Sequence, residues 1–211
     1  MKKIGILTGA GAIVGANFYK NLISSFTYEG VQDKDFPYVM LLNFPFSSTD
    51  ENGLSHNHLF EKEIFSCLQK TNDTDIFLVL CFSMHEKIKK SDNFLDISSL
   101  VKNEIRKEET TLVLCSLTSK KESIFGSFVK YLDDEDYPYL NKIIQDVIEG
   151  KKSDISNFKK IIKNYCTKNN IKKIVLGCTE LFYADLEDSL SEICEVFNPE
   201  KKIIEKIKEI L

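Results

Sequence analysis

The sequence predicts an α/β protein made of two similar, pseudo-symmetric lobes, each with a parallel sheet flanked by helices. Strand-like and helix-like segments alternate along the chain, which is typical of parallel sheets. Each half also contains an apolar strand that stops at a cysteine, Cys81 in the first half and Cys178 in the second. Because ligands of such sheets bind beyond the carboxyl ends of the strands, we expect an active site in the cleft between the lobes.

The elements of the first half follow from apolar runs of strand length and from apolar residues at helical spacing. They are strands at Lys3–Leu7, Tyr38–Leu42 and 76–80, and helices at 13–26, 59–69 and 83–90. A glycine-rich loop separates the first strand from the first helix, which favours a tight, close-packed connection. The run at 76–80 is continuously apolar, and this predicts a parallel strand covered on both faces.

The second half repeats this order. It has strands at Thr111–Leu114 and 174–176, and helices at 123–131, 139–149, 155–169 and 201–211. The repeat divides the chain into a first lobe of residues 1–108 plus 196–211, with one cysteine, and a second lobe of residues 109–195, with the other. Two lobes that face each other would bring the two cysteines to one cleft.

Composition excludes several classes of function. The net charge of −4 provides no positive field for nucleic acid. No apolar segment approaches the ~20 residues that cross a bilayer, and glycines interrupt the apolar N-terminal run, so we expect neither a membrane span nor a signal peptide. The six cysteines form no CxxC pair and no metal-ligand spacing with the three histidines. We therefore expect no metal and reduced thiols in the cytoplasm.

Cys81 and Cys178 differ from the other cysteines, which we interpret as small buried hydrophobic residues. Both lie at a strand-to-helix switch, where a helix N-terminus lowers the pKa of a thiol. A hydroxyl residue follows each of them, Ser83 in the first half and Thr179 in the second, and can cap the helix or hold a carboxylate. The spacing predicts a functional cysteine pair.

Three segments resemble motifs of the aspartate/glutamate racemase family. Residues 4–11 resemble the N-terminal glycine motif of aspartate racemases, and 81–85 is similar to the first cysteine motif, Cys-Asn-Thr-x-His. Residues 177–180, Gly-Cys-Thr-Glu, resemble the second cysteine motif, and Glu180 favours the aspartate-racemase branch. The resemblance spans nearly the whole chain.

The resemblance implies an amino-acid racemase that uses no cofactor and is commonly a homodimer. One cysteine thiolate removes the α-proton of a bound amino acid, and the other cysteine, as a thiol on the opposite face, returns a proton. The catalytic residues are then Cys81 and Cys178. The substrate-binding candidates are Gly9, Phe82, Ser83, Ser119, Thr179 and Glu180. His85, one turn after Cys81, either tunes the thiolate or stabilises the helix start, and we favour the second role.

The sequence departs from the family at the positions that hold a substrate carboxylate. Phe82 replaces the Asn of the first cysteine motif, and no Lys or Arg occurs between Lys34 and Lys62, where aspartate racemases have an Arg. Arg106 is the only arginine, which disfavours a bidentate grip on a side-chain carboxylate. Lys151 or Lys152 could substitute for a lysine of the second lobe. The departures favour a substrate other than aspartate, or broad tolerance.

Two other readings stay open. The first is another reaction at a carbon acid, such as hydantoin racemisation, maleate isomerisation or malonate decarboxylation. The second is a protein that binds an amino acid or a carboxylate in the same fold without turnover, which the altered carboxylate-holding positions would explain.

Overall fold

The fold is known from a computed structural model. The described residues are 2–8, 11–50, 53–54, 57–71, 73–85, 87–88, 93–105 and 109–211. Gly9 and Arg106, which the sequence singled out, lie outside these ranges, and so does part of the predicted helix over 83–90.

Strands and helices alternate along the described chain. The strands are β1 (Lys3–Leu7), β2 (Tyr38–Leu42), β3 (Thr49–Asp50), β4 (Gly53–Leu54), β5 (Ile76–Val79), β6 (Thr111–Leu114), β7 (Lys130–Tyr131), β8 (Lys173–Leu176) and β9 (Glu195–Phe197). The α-helices are α1 (Ala12–Ser24), α2 (Asn57–Lys70), α3 (Phe82–His85), α4 (Ile97–Glu104), α5 (Leu117–Lys121), α6 (Tyr137–Ile148), α7 (Ser156–Asn169), α8 (Leu186–Ser191) and α9 (Pro199–Ile210). Short 3₁₀ helices occupy Asp33–Asp35, Asp134–Asp136 and Thr179–Tyr183.

The first sheet is parallel and has the strand order β2-β1-β5. The central strand β1 is paired along its length, with Ile4 beside Ile76 and Leu7 beside Val79. Beyond β5, Phe94 forms a parallel bridge to Phe77. The carboxyl ends of β1 and β5 therefore lie at the same edge of this sheet.

The second sheet repeats the arrangement. Its order is β7-β6-β8-β9 and all of its strands are parallel. The central strand β6 again has its sequential partner on one side and a later strand, β8, on the other, and β9 occupies the place that Phe94 has in the first sheet. The predicted α/β fold with two similar parallel sheets is confirmed, whereas the division at residues 108 and 196 stays a prediction.

Both sheets contribute to one hydrophobic core. The residues of β5, β6 and β8 are buried, as expected of parallel strands covered on both faces. The same cluster contains Ile4 and Phe18 from the first half and Leu112, Val175 and Leu176 from the second. A smaller cluster lies between β1, β5 and α2 and contains Leu7, Phe60 and Val79 among others. The two halves are thus joined by packed side chains.

Helix α9 follows the second sheet but packs against α4 of the first half. The Asn21 side chain on α1 donates a hydrogen bond of 2.9 Å to the carboxylate of Glu200, and Lys208 donates to the backbone carbonyl of Ser25 at 2.6 Å. The chain therefore ends against the half in which it began.

The prediction of a helix over 123–131 is wrong. Helix α5 instead covers Leu117–Lys121, begins at the side-chain cap of Ser116, and is followed by turns. Ser123 has φ +50° and Gly126 has φ +95°, and such left-handed conformations end a right-handed helix. Ile124 and Phe125 are buried although they lie in these turns, so the apolar residues of this segment do not indicate a helix.

No helix of the described ranges is both long and apolar enough to cross a bilayer.

Candidate active site

Cys81 and Cys178 occupy equivalent places in the two sheets. Each lies two residues beyond the carboxyl end of a buried strand, β5 in the first sheet and β8 in the second. Gly177 precedes Cys178, and a side chain there would put its Cβ 2.6 Å from Cγ1 of Val113 and 2.9 Å from the ring of Phe125. The glycine therefore lets the chain leave β8 against the neighbouring strand.

The segments that carry the two cysteines touch each other. Thr179 donates a hydrogen bond of 3.0 Å from its hydroxyl to the backbone carbonyl of Leu80. Leu80 immediately precedes Cys81 and Thr179 immediately follows Cys178, so this bond joins the two strand ends across the sheets. The predicted proximity of the cysteine segments is found in the described structure.

Cys178 lies against a carboxylate. Its thiol donates a hydrogen bond of 2.9 Å to Oε2 of Glu180, which the Thr179 hydroxyl also approaches at 3.3 Å. Glu180 is 5% exposed, and its Oε1 lies 3.4 Å from the position that a Cβ on Gly11 would take. Burial, then the Glu180 carboxylate and then the Cys81 thiol raise the pKa of Cys178 well above its ordinary value.

Cys81 has neutral donors around it. Its sulfur lies 3.3 Å from the hydroxyl of Ser83. Burial and the charge of Glu180 raise the pKa of Cys81, whereas the Ser83 hydroxyl and the backbone N–H groups of Met84 and Ser83 lower it, and the balance is a raised pKa. The expectation of lowered thiol pKa values is wrong for the balance of effects. The backbone N–H groups at the start of α3 lower the pKa of Cys81, but burial outweighs them, and for Cys178, which precedes the 3₁₀ helix, burial and Glu180 raise the pKa.

Phe82 packs between the two halves. It is 2% exposed, and its ring lies edge-on to Phe125 at 5.2 Å and to Phe182 at 6.3 Å between centroids. The sequence suggested Phe82 as a substrate-binding residue. The described contacts of Phe82 are instead with aromatic rings of the second half, so it helps to hold the halves together.

Two of the other predicted binding residues, Ser83 and Ser119, lie at the edge of the same region. Ser83 and Ser119 are buried, and Ser119 accepts a hydrogen bond of 3.0 Å from the hydroxyl of Ser116 at the start of α5. Helix α5 packs against α3, which places Ser119 on the side of Cys81. Gly9 lies outside the described residues, so the contacts of its loop are known only through Gly11.

Thr8 and Asn43 form a second polar pair at the carboxyl edge of the first sheet. The Thr8 hydroxyl lies 2.9 Å from the side-chain oxygen of Asn43, just beyond β1 and β2. The sequence analysis did not select either residue. Ligands of parallel sheets bind beyond the carboxyl ends of the strands, and this rule could have identified both residues from the sequence.

The positions considered for a carboxylate-binding cation have other partners. In the loop after β2, the backbone N–H groups of Ser47 and Ser48 donate to the carboxylate of Glu63 at 2.9 and 3.3 Å. Lys151 pairs with Glu149, and Lys152 pairs with Asp185 at 3.3 Å with 87% of its side chain exposed. The ion pairs of these two lysines therefore lie at the surface.

His85 is buried beneath α4. Its Nε2 lies 3.1 Å from Oδ1 of Asp96, the residue that caps α4, and its ring is 4.5 Å from that of Phe94. These contacts agree with a structural role. Among the residues described here, no group of three or more His, Cys, Asp or Glu side chains could hold a metal ion.

No protein-family model matches the chain, and no curated protein matches it by sequence. Among solved structures, the aspartate racemase of Picrophilus torridus matches with a TM-score of 0.71 and 18% identity over 100% of this chain and 94% of its own. An aspartate racemase homologue from Pyrococcus horikoshii matches with 0.67 and 20% identity over 100% and 99%. Glutamate racemase from Campylobacter jejuni subsp. jejuni matches with 0.64 and 14% identity over 98% and 85%. These matches confirm the likeness of fold that the sequence motifs predicted.

Proposed function

We propose that this chain, which has the fold of aspartate and glutamate racemases, is a cofactor-independent amino-acid racemase with Cys81 and Cys178 as its catalytic residues. One observation carries the proposal. The hydrogen bond between Thr179 and Leu80 joins the residues adjacent to the two cysteines, and Glu180 raises the pKa of both thiols. Two thiols from opposite halves therefore share one site.

The chemistry requires a pair of such groups. An amino-acid α-proton is weakly acidic, so the base must be strong, close and poorly solvated. One cysteine thiolate takes the proton from Cα and the electron pair passes into the carboxylate as an enediolate, while the other thiol gives its proton to the opposite face. Each positioned group contributes about 10²–10⁴-fold to the rate. Buried hydroxyls of Ser83 and Ser119 stabilise the developing charge.

We further propose a neutral amino acid, or a broad range of them, as substrate. A charged, bidentate partner gives the strongest grip on a side-chain carboxylate, and the sequence has no Lys or Arg between Lys34 and Lys62. Lys151 and Lys152 have acidic partners at the surface. Phe44 and Phe46 follow β2 with their ring centroids 4.8 Å apart and add apolar surface at this edge, next to the polar Asn43.

The test follows the α-proton signal of L- and D-amino acids in D₂O by NMR with the purified, reduced protein. We expect exchange with loss of chirality, abolished by Cys81→Ala and by Cys178→Ala. Cys194→Ala is the matched control, because this cysteine lies before β9, away from the strand ends of the site, and the variant retains exchange. Turnover of aspartate and glutamate alone would contradict the neutral-substrate proposal.

Absence of exchange across the amino acids would reject the racemase proposal, and the same samples then separate the alternatives. Hydantoins, maleate and malonate in the panel would reveal a different carbon acid. Thermal stabilisation by an amino acid without exchange would identify a binding protein. A homodimer in the cytoplasm accompanies the proposal, and sedimentation of the purified protein together with fractionation of cells tests this part.

A further inference from the structure

Resting on the proposed function, we infer that the two cysteines are unequal before substrate binds: Cys81 is the base, Cys178 is the acid, and Glu180 is the positioning residue that keeps the proton on Cys178. The proposed function needs one thiolate and one thiol but does not assign them. The assignment comes from what each sulfur contacts.

The contacts of Cys178 favour its protonated form. The Cys178 thiol donates to Oε2 of Glu180 at 2.9 Å, and because a carboxylate oxygen is a hydrogen-bond acceptor, this contact favours the proton on sulfur. Loss of that proton would put two negative charges at hydrogen-bond distance in a buried site. Glu180 is itself buried, and its Oε2 also lies 3.3 Å from the Thr179 hydroxyl.

The contacts of Cys81 favour its ionised form in comparison. The Ser83 hydroxyl at 3.3 Å can donate to a thiolate, and so can the backbone N–H groups of Ser83 and Met84. Each of these donors lowers the pKa of Cys81, whereas the described neighbours that act on Cys178 all raise its pKa. Burial raises the pKa of both thiols. The difference between the two pKa values therefore comes from the carboxylate beside Cys178 and the hydrogen-bond donors beside Cys81.

The charged and titratable neighbours are few among the described residues. Glu180 acts on both cysteines and is in direct contact with Cys178 only. The thiols of Cys81 and Cys115 are the remaining groups that act on Cys178, and both raise its pKa. His85, one turn from Cys81, has its Nε2 directed to Asp96.

The order of the proton transfers follows from this assignment for the enantiomer whose α-proton faces Cys81. In its turnover the Cys81 thiolate forms an S–H bond with the α-proton, and Cys178 gives its own proton to the opposite face of Cα and becomes a thiolate. That thiolate lies against the Glu180 carboxylate, so the return of a proton to Cys178 and the loss of one from Cys81 restore the starting state. The negative charge of Glu180 thus favours return of the proton to Cys178 between turnovers.

The test is alkylation of the wild-type protein by iodoacetamide over a series of pH values, with each cysteine quantified by peptide mass spectrometry. A thiolate reacts and a thiol does not, so the midpoint pH of the rate reports ionisation of each cysteine without turnover. We expect a lower midpoint for Cys81 than for Cys178. A lower midpoint for Cys178 would overturn the inference.

Glu180→Gln removes the charge and keeps the size of the side chain. We expect the Cys178 midpoint to fall by about one pH unit, which is about a tenfold faster alkylation at pH 8, with a smaller fall for Cys81. Ser83→Ala should raise the midpoint of Cys81 and leave that of Cys178 unchanged. Glu192→Gln is the control, because this carboxylate pairs with Lys159 at the surface. An unchanged Cys178 midpoint in Glu180→Gln would reject the role of Glu180.

Failure of the proposed function has a different signature. Cysteines that ionise in the expected order in a protein without α-proton exchange would reject the racemase and leave the assignment of the two thiols intact. Exchange in a protein whose Cys178 ionises first would keep the racemase and reject the assignment.

Discussion

The hydroxyl of Thr179 donates a hydrogen bond of 3.0 Å to the carbonyl of Leu80, ninety-nine residues earlier in the chain. Both groups are buried, and each residue adjoins one of the two cysteines of the site. The sequence suggested that Thr179 binds substrate. In the structure its hydroxyl spans the two sheets, so it sets how the two cysteine segments lie relative to each other.

Thr179→Val should separate the sheets at this point. The variant keeps the shape of the side chain but leaves the Leu80 carbonyl without this donor, which costs about 1–3 kcal/mol of unfolding free energy in a buried site. We expect α-proton exchange to fall as well, because the cysteines lose their fixed separation. Urea unfolding and NMR exchange measure the two effects.

Thr179→Ser is the matched variant, since it retains the hydroxyl and loses only a methyl group. It should keep most of the exchange activity. Equal losses in the serine and valine variants would show that the methyl group matters and that the hydrogen bond does not.

Gly177→Ala should destabilise the protein and displace Cys178. The added Cβ would lie 2.6 Å from Val113 and 2.9 Å from the ring of Phe125, both of them fully buried. Overpacking of this kind costs about 1–3 kcal/mol. The unfolding midpoint in urea measures the cost. A midpoint equal to that of the wild type would show that the strand end shifts freely.

Phe82→Asn restores the residue that the family motif has, yet it should destabilise this chain by about 3 kcal/mol or more. The ring is packed against Phe125 and Phe182, and an amide there loses the aromatic contacts and needs hydrogen-bond partners. Phe65→Asn on α2 is the control, because Phe65 is 63% exposed and its replacement should cost little. Equal effects of the two variants on urea unfolding would contradict the packing role of Phe82.

Alkaline pH should weaken the fold through Cys115. Burial raises the pKa of this thiol to about 12, whereas an unfolded thiol loses its proton near pH ~8.5. Between these values the unfolded chain binds fewer protons than the folded chain, so the unfolding free energy falls as pH rises, by up to about 1.4 kcal/mol per pH unit from this group.

The contribution of Cys115 is measured by urea unfolding under reducing conditions at pH 8 to 10.5. Cys115→Ala should show a shallower decline than the wild type across this range. Val113→Ala, a neighbouring truncation without a titrating group, should lower stability at every pH and keep the wild-type slope. Parallel declines in wild type and Cys115→Ala would contradict the prediction.

The strands were the most predictable part of the fold. Lys3–Leu7, Tyr38–Leu42 and Thr111–Leu114 have the predicted bounds, because short, mostly apolar runs between breakers are typical of parallel strands, whether the strand is buried or, like β2, lies at the edge of its sheet. The short strands β3, β4, β7 and β9 were not predicted, since two or three residues carry no periodicity. The turns after α5 were wrongly predicted as a helix, because the pattern of apolar residues does not indicate the positive φ of Ser123.

The sequence by itself determined that two cysteines follow two parallel strands, because local runs of apolar residues predict the length and the burial of a strand. Tertiary structure alone decided how those cysteines are buried and how their segments meet. The contact of Cys178 with Glu180 spans two residues of one turn, whereas the bond from Thr179 to Leu80 and the rings around Phe82 depend on how the halves pack. The raised pKa values follow mainly from that packing, because burial, which excludes water from both thiols, is the largest cause of each raised value, and the Glu180 carboxylate adds to it.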